Sequence, residues 1–440
     1  MRDYALATLF KAHHSPVAKR SGCLSEANPA ILRPASCFRL PPRPCQKWRR
    51  HMRDNYDIIS VIRQSNTDKG ELEMGKASFR VVDFGRTKYG EKAKKYILKG
   101  AGGAILEVSD YGGKVVRLFT PDRKGRLKDV VVGFDSPAGW DSGDAYWGCI
   151  IGRYGNRIAK GEFKLDGRKI KLPALNNAPA GIGCNLHGGA RGWNAYVWDA
   201  KPFVYGDKVG VVFTHTSPDG DEGFPGRVDA KVTYTLTAKN VWRVDYEAVT
   251  DKPTPINMTQ HVYFNFKGEA GGTIEDHVMK IAASRVTPTD AGQIPTGRVV
   301  SVAGTPFDFR KGMRIGERIN EKNEQLDFGR GYDHNWVLDE GVMAKKKAKA
   351  RLNFAAEVSC PLNGRFVKVY TTEPCLQVYT ANWCDWNQRG KGGEHLSFRC
   401  GIALETQHAP DSPNHPEWPT TIVRPGQVYK TATEFRFGAK

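Results

Sequence analysis

An all-β chain, folded as a large antiparallel β-sandwich with few short helices, is what this sequence predicts. Three observations carry that expectation: the apolar runs are short, they alternate with period two, and turn residues bound them at close intervals. Val241–Val249 is the clearest run, with Trp242, Val244, Tyr246 and Ala248 on one side and Arg243, Asp245 and Glu247 on the other. That is the pattern of a strand with one buried face. Similar strands are readable over Val209–Thr214, Lys231–Leu236, Phe366–Tyr370 and Leu376–Thr380. Between such runs stand DYGG (110–113), PDRKG (121–125), KLDGR (164–168) and SPDGDEG (217–223), rich in the residues that tight turns require. No stretch sustains a helical period. The pattern begins near Ala77 and no linker interrupts it, so residues 77–440 are expected to form one β domain.

Charge and composition exclude several function classes. The chain has 440 residues and a formal charge of +19, which raises the question of nucleic acid. Its distribution argues otherwise. Residues 1–53 hold 11 Lys or Arg and only two acids, and the remaining excess is spread over a long body with one local run, KKKAKAR at 345–351. There is no basic helix and no stacking-aromatic signature of an RNA-binding sheet, so no nucleic-acid partner is expected. No run approaches the roughly 18 consecutive apolar residues of a membrane span, so no membrane partner is expected. Nine scattered cysteines without a C-x-x-C pair argue against a zinc ribbon and for a reducing compartment. A cytoplasmic location follows as the expectation. Residues 1–76 read as a solvated or disordered basic leader; organelle targeting, or a start at Met74, stays open.

The residues that could carry chemistry sit among glycines or on strands. NMTQHVYFNF (257–266), read as one strand, puts Met258, Gln260, Val262, Phe264 and Phe266 on one face. Asn257, Thr259, His261, Tyr263 and Asn265 fall on the other, either a solvated face or the lining of a cavity. NRIAKGEF places Asn156 and Arg157 after GRYG, CNLHGG sets His187 before two glycines, and GYDHNW offers Asp333 and His334 in a turn. In GIALETQ, Ile402, Leu404 and Thr406 would face the core, which turns Glu405 toward whatever lies opposite. Each has a plain structural alternative: a surface ion pair for Arg157, a loop residue for His187, a turn cap for Asp333 and a solvated carboxylate for Glu405.

Taken in order, NRIAKGEF, LHGG, NMTQHVYFN, YDHNW, TTEPCLQVYTAN and LETQHAPDSPNHPEWP resemble the aldose 1-epimerases, the galactose mutarotases. The likeness runs from about Gly112 to the C-terminal EFRFG. It implies the galactose mutarotase-like supersandwich, a shallow sugar cleft on one sheet, and interconversion of the α and β anomers of hexoses such as galactose and glucose without metal or organic cofactor. By motif, Glu405 corresponds to the general base and His261 to the general acid. Asn156, Arg157, His187, Asp333 and Gln377 correspond to groups that hold the sugar. The small-molecule aldose is then the partner, and a monomer or weak homodimer is expected. Departures are small: Gln260 and Val262 flank the histidine where Asn and Ser are common, Trp193 stands where Phe is frequent, and Cys375 where Gly is.

The chemistry fits these residue types. A carboxylate is ionised at neutral pH, and an imidazole beside carboxylates is expected to hold its proton. Such a pair can open and close a hemiacetal. Trp193 is expected to reshape the sugar pocket. The rival readings are a hexose-phosphate epimerase drawing on KKKAKAR, a glycoside hydrolase using Glu405 with Asp333, and a sugar-binding sandwich without catalysis. His187, His261 and Glu405 are also metal-ligand types, but without local ligand spacing.

Overall fold

The computed structural model describes residues 75–142, 146–343, 351–384 and 388–440. The expected leader, but for its last two residues, and the KKKAKA part of the basic run lie outside them. A nine-stranded antiparallel sheet forms one layer, in the order Asp199–Tyr205, Lys208–Ser217, Val228–Leu236, Val241–Thr250, Tyr429–Ala439, Arg365–Thr371, Asn353–Ser359, Val278–Ile281, Met313–Arg314. The five short apolar runs named first are each found in a strand. Trp242, Val244, Tyr246 and Ala248 are buried, and the charged positions between them are only partly covered.

A seven-stranded sheet lies against it, in the order Val300–Ser301, Arg285–Thr287, Asp333–Val337, Cys375–Tyr379, Ile402–Gln407, Tyr263–Phe264, Val131–Val132. The layers touch through Phe264, whose ring centroid is 5.7 Å from that of Phe435, and through the Thr406 and Thr433 hydroxyls at 2.6 Å. A five-stranded sheet, Ser78–Arg86, Lys92–Lys99, Ile105–Ser109, Val115–Pro121 and Leu127–Asp129, adds Leu98, Leu106, Val108 and Leu118 to the same core. Each large side chain buried there stabilises the fold by roughly 1.5–3 kcal/mol. Among the described residues the α-helices are two, Pro137–Ser142 and Glu324–Gly329.

The segment 257–266 departs from the expected single strand. It forms two short ones, Thr259–Gln260 and Tyr263–Phe264, because the chain changes partners between them. The first pairs with Ile150–Ile151, and the second with Ile402–Ala403 and Val131–Val132. The crossing falls at His261, whose N–H donates to the Cys149 carbonyl at 3.0 Å and whose carbonyl accepts from Gly148 at 2.9 Å. The alternation survives the break. Met258, Val262, Phe264 and Phe266 join the core, and Gln260 turns the same way to donate to the Tyr234 hydroxyl at 2.7 Å. The polar face is buried too, which overturns the solvated alternative.

One further expectation is corrected. Asp333 begins the strand Asp333–Val337 instead of lying in a turn, because its neighbours Trp336 and Leu338 are drawn into the core. Trp193, expected to reshape the sugar pocket, is 1% exposed, edge-on to Trp198 and His215 and packed against Gly152.

Candidate active site

The seven-stranded sheet aims Glu405. Residues paired across an antiparallel ladder project from the same face. Thr287 pairs with Asn335, Asn335 with Gln377, and Gln377 with Glu405, so these four form one polar row. The neighbours Leu376, Val378, Ile402 and Leu404 occupy the core face, which sends the row away from the core. Buried atoms on it lack a protein partner: Asn335 Oδ1, Gln377 Oε1 and Glu405 Oε2. Leaving such groups unpaired is costly, and their cluster marks a place where polar ligand atoms would be taken up.

His261 faces the end of that row, with Nε2 at 3.5 Å from Glu405 Oε1. Its ring lies 5.1 Å from that of His187, edge to face. His187 comes from a tight loop. Arg157–Ala159 pairs with Cys184–Leu186, so Arg157 stands opposite Leu186 and His187 follows at the strand end. The Asn156 N–H donates to His187 Nδ1 at 3.1 Å. A nitrogen that accepts carries no proton, so in the neutral ring Nε2 is the donor. Asn156 and His187 both have left-handed backbones, φ 65° and 53°. The next residue, Gly188 at φ 89°, has room for no side chain: a Cβ would lie 2.3 Å from the Gly152 carbonyl oxygen.

Arg157 and Asp333 occupy the other side. Arg157 Nε donates to Asn177 Oδ1 at 3.1 Å, and Nη2 donates to Gln293 Oε1 at 2.6 Å. Gln293 Nε2 donates to Asp333 Oδ2 at 3.2 Å, and Gln377 Nε2 to Asp333 Oδ1 at 2.7 Å. Contacts therefore run in a closed circuit, from His187 through Asn156, Arg157, Gln293, Asp333, Gln377, Glu405 and His261 back to His187. All seven residues assigned by the family likeness lie on it, whereas His334 packs on Phe307, with ring centroids 4.7 Å apart. Tyr146 lies against both histidines, tilted to His187 with ring centroids 4.7 Å apart and stacked with His261 at 6.4 Å, and Tyr379 stands 6.5 Å from His261.

Burial dominates the electrostatics. Desolvation, assisted by the negative charge of Asp333 and opposed by Arg157, holds the Glu405 carboxyl well above the usual carboxylate range. Desolvation pushes His261 down to about 4, and His187 well below the ordinary imidazole value, with His261 and Arg157 adding repulsion. The expectation that carboxylates would keep His261 protonated is thus overturned in the free protein. The pocket excludes water more strongly than Asp333 attracts the proton.

Gln293, Asn177, Tyr146 and Tyr379 were not singled out from the sequence. Tyr146 had a signal, in AYWG just ahead of GRYGNRI; Gln293, in DAGQIPTG, reads as an ordinary turn residue. His187, His261 and Glu405 place their ligand-type atoms within 4.8 Å of one another. A tetrahedral zinc draws its ligands to roughly 3.4 Å apart, so this set would have to contract to hold one.

A buried carboxyl and imidazole facing each other inside a ring of hydrogen-bonding groups, on a β-sandwich sheet, define a carbohydrate-acting acid–base enzyme. The aldose 1-epimerase sequence profile matches residues 94–436, and the chain belongs to that family of isomerases. It is 38% identical over 368 residues to the galactose mutarotase of Rattus norvegicus, covering 81% of this chain and 99% of the relative. It is 36% identical over 353 residues to the aldose 1-epimerase of Escherichia coli K12, covering 80% and 97%. The solved galactose 1-epimerase of Lactobacillus acidophilus superposes with a TM-score of 0.70 at 25% identity, covering 83% of this chain and 99% of that one. The Caenorhabditis elegans homologue gives 0.67 at 25% identity, covering 82% and 99%.

Proposed function

We propose that this mutarotase opens and recloses the pyranose ring of hexoses such as galactose and glucose, with Glu405 as base and His261 as acid. The observation that supports the roles is their 3.5 Å approach inside the closed circuit of sugar-type partners. With substrate bound, Glu405 takes the proton of the C1 hydroxyl as His261 gives one to the ring oxygen. The C1–O5 bond breaks, leaving an aldehyde, a C5 hydroxyl, a protonated carboxyl and a neutral imidazole. Rotation about C1–C2 exposes the other face of the carbonyl. His261 then recovers the proton from the C5 oxygen as it attacks C1, and Glu405 returns its proton to the C1 oxygen. One proton circulates within the pair and nothing is consumed. Burial favours the neutral pair in the free protein, so the shared proton must pass from Glu405 to His261 as the sugar binds; the same neutral pair then accompanies the open chain. Proton transfer of this kind contributes on the order of 10² to 10⁴ in rate.

Arg157 and His187 Nε2 donate to sugar oxygens, Asp333 and Gln377 accept from hydroxyls, and Asn156 keeps His187 in its donor tautomer. Because the sugar must turn between steps, binding is expected to be weak. A cytoplasmic monomer or weak homodimer completes the reading, in keeping with the free cysteines among the described residues. The test is polarimetry on freshly dissolved α-galactose and α-glucose. Wild-type protein should speed the approach to equilibrium, and Glu405→Gln, which keeps the volume and removes the base, should lose at least about 10² of the rate. Full activity in Glu405→Gln would end the assignment.

A further inference from the structure

Arg157 and Asp333 form an incomplete ion pair. Left together, a guanidinium and a carboxylate close to about 2.8 Å, commonly through two parallel bonds. Here Arg157 Nη2 stays 3.7 Å from Asp333 Oδ2, although the two side chains are only 8% and 10% exposed. The Gln293 carboxamide bridges them from the side and engages both. Its Oε1 takes the same Nη2 at 2.6 Å, and its Nε2 donates to the same Oδ2 at 3.2 Å. The remaining N–H reaches the Phe328 carbonyl at 3.3 Å, so the whole amide is used and its orientation is fixed. A flipped amide would set N–H against guanidinium and oxygen against carboxylate.

The loop is built to deliver this side chain. Gln293 is 3% exposed and holds a left-handed backbone at φ 57°, a conformation that costs a residue with a Cβ about 1 kcal/mol or more. Asp290 enforces it: its carboxylate accepts from the N–H groups of Gly292 at 2.8 Å and Ile294 at 3.1 Å, and its carbonyl from Gln293 at 2.9 Å.

We propose that Gln293 is a positioning residue, a neutral spacer that keeps Arg157 and Asp333 from satisfying each other, so that both stay available to sugar hydroxyls. This rests on the mutarotase reading above. With the amide in place, a hydroxyl can accept from Arg157 and donate to Asp333. Without it, the guanidinium and carboxylate close together, and each sugar that binds must first separate them. The penalty falls on binding. Closing the pair brings a positive and a negative charge together whose effects on Glu405 are opposed, so the chemical step is left nearly as it was.

The experiment is steady-state polarimetry with Gln293→Met, together with its crystal structure and melting temperature. KM for galactose should rise about tenfold with kcat within about twofold, and the Arg157–Asp333 separation should contract below about 3 Å. A wild-type KM, or a separation still near the 3.7 Å of the native chain, overturns the proposal. Gln293→Glu serves if the Met variant melts early. It keeps the volume and the Arg157 contact but sets a second carboxylate against Asp333, so KM should rise more steeply, and an unchanged KM again overturns it. Should the wild-type protein fail to mutarotate any hexose, the functional reading falls, while the contraction in Gln293→Met still decides whether the amide is a spacer.

Discussion

Glu405 and His261 are driven to their neutral forms by the same burial, one upward and one downward. Two such groups 3.5 Å apart titrate as a unit, and the working state of the unit holds one proton. A second proton on the pair, added as the imidazole is charged near pH 4, removes the base. Loss of the shared proton, on the alkaline side, removes the acid. The rate kcat/KM, after subtraction of the spontaneous reaction, should therefore show two limbs with a plateau between them. It should fall below about pH 4 and again above the elevated value of Glu405. An acid limb near 6.5 would instead report a solvated imidazole and contradict the buried geometry. The identity and facing of these residues are legible in the sequence, since Ile402 and Leu404 orient Glu405 by alternation. Their protonation is not, because it depends on how much water other segments exclude.

Glycines in the elements of this fold differ in how much they matter. In the KLDGR hairpin, Gly167 has φ 77° and nothing within 4 Å of an added Cβ, so Gly167→Ala meets only backbone strain. It should cost about 1 kcal/mol of stability and leave the rate alone. Gly188 has the same sign of φ, but its Cβ would collide with the Gly152 carbonyl. Gly188→Ala must displace the loop that carries His187, and should lower activity at least about tenfold even where the protein still folds. Thermal melts and polarimetry on the two variants separate these cases, and equal activity would show that the loop is not tightly seated. Strands with one apolar face are readable from sequence for this same local reason. The switch of partners at His261 is not, because it depends on where Ile150–Ile151 and Ile402–Ala403 come to lie. In the sequence Asp333 reads as a turn residue because Gly331 and Asp333 look like turn chemistry, while the packing that extends the strand comes from Trp336 and Leu338.

At the scale of the molecule, the site gathers Asn156, Arg157, His187, His261, Gln293, Asp333, Gln377 and Glu405 from segments far apart in the chain. Six ordered motifs made seven of these legible, whereas Gln293 becomes visible only when the loop that carries it folds onto Arg157. The family profile begins at residue 94, yet the strand Ser78–Arg86 belongs to the same five-stranded sheet and is linked to the site. Phe84 packs on Trp140 at 6.0 Å, the Trp140 indole donates to the Trp147 carbonyl at 2.8 Å, and Trp147 stacks on Tyr263 at 3.9 Å. Tyr263 in turn lies 5.0 Å from His261. A chain beginning at Gly75 retains every one of these contacts and all eight side chains of the circuit. It should match the full-length protein in melting temperature and within about twofold in kcat/KM. A chain beginning at Gly90 loses the edge strand and the Phe84 contact. It should melt several degrees lower, since about 1–2 kcal/mol of lost packing is a large share of a marginal stability. Its kcat should also fall, as the support behind His261 loosens. Full-length protein at least about tenfold more active than the Gly75 chain would instead assign the first 74 residues a part in catalysis.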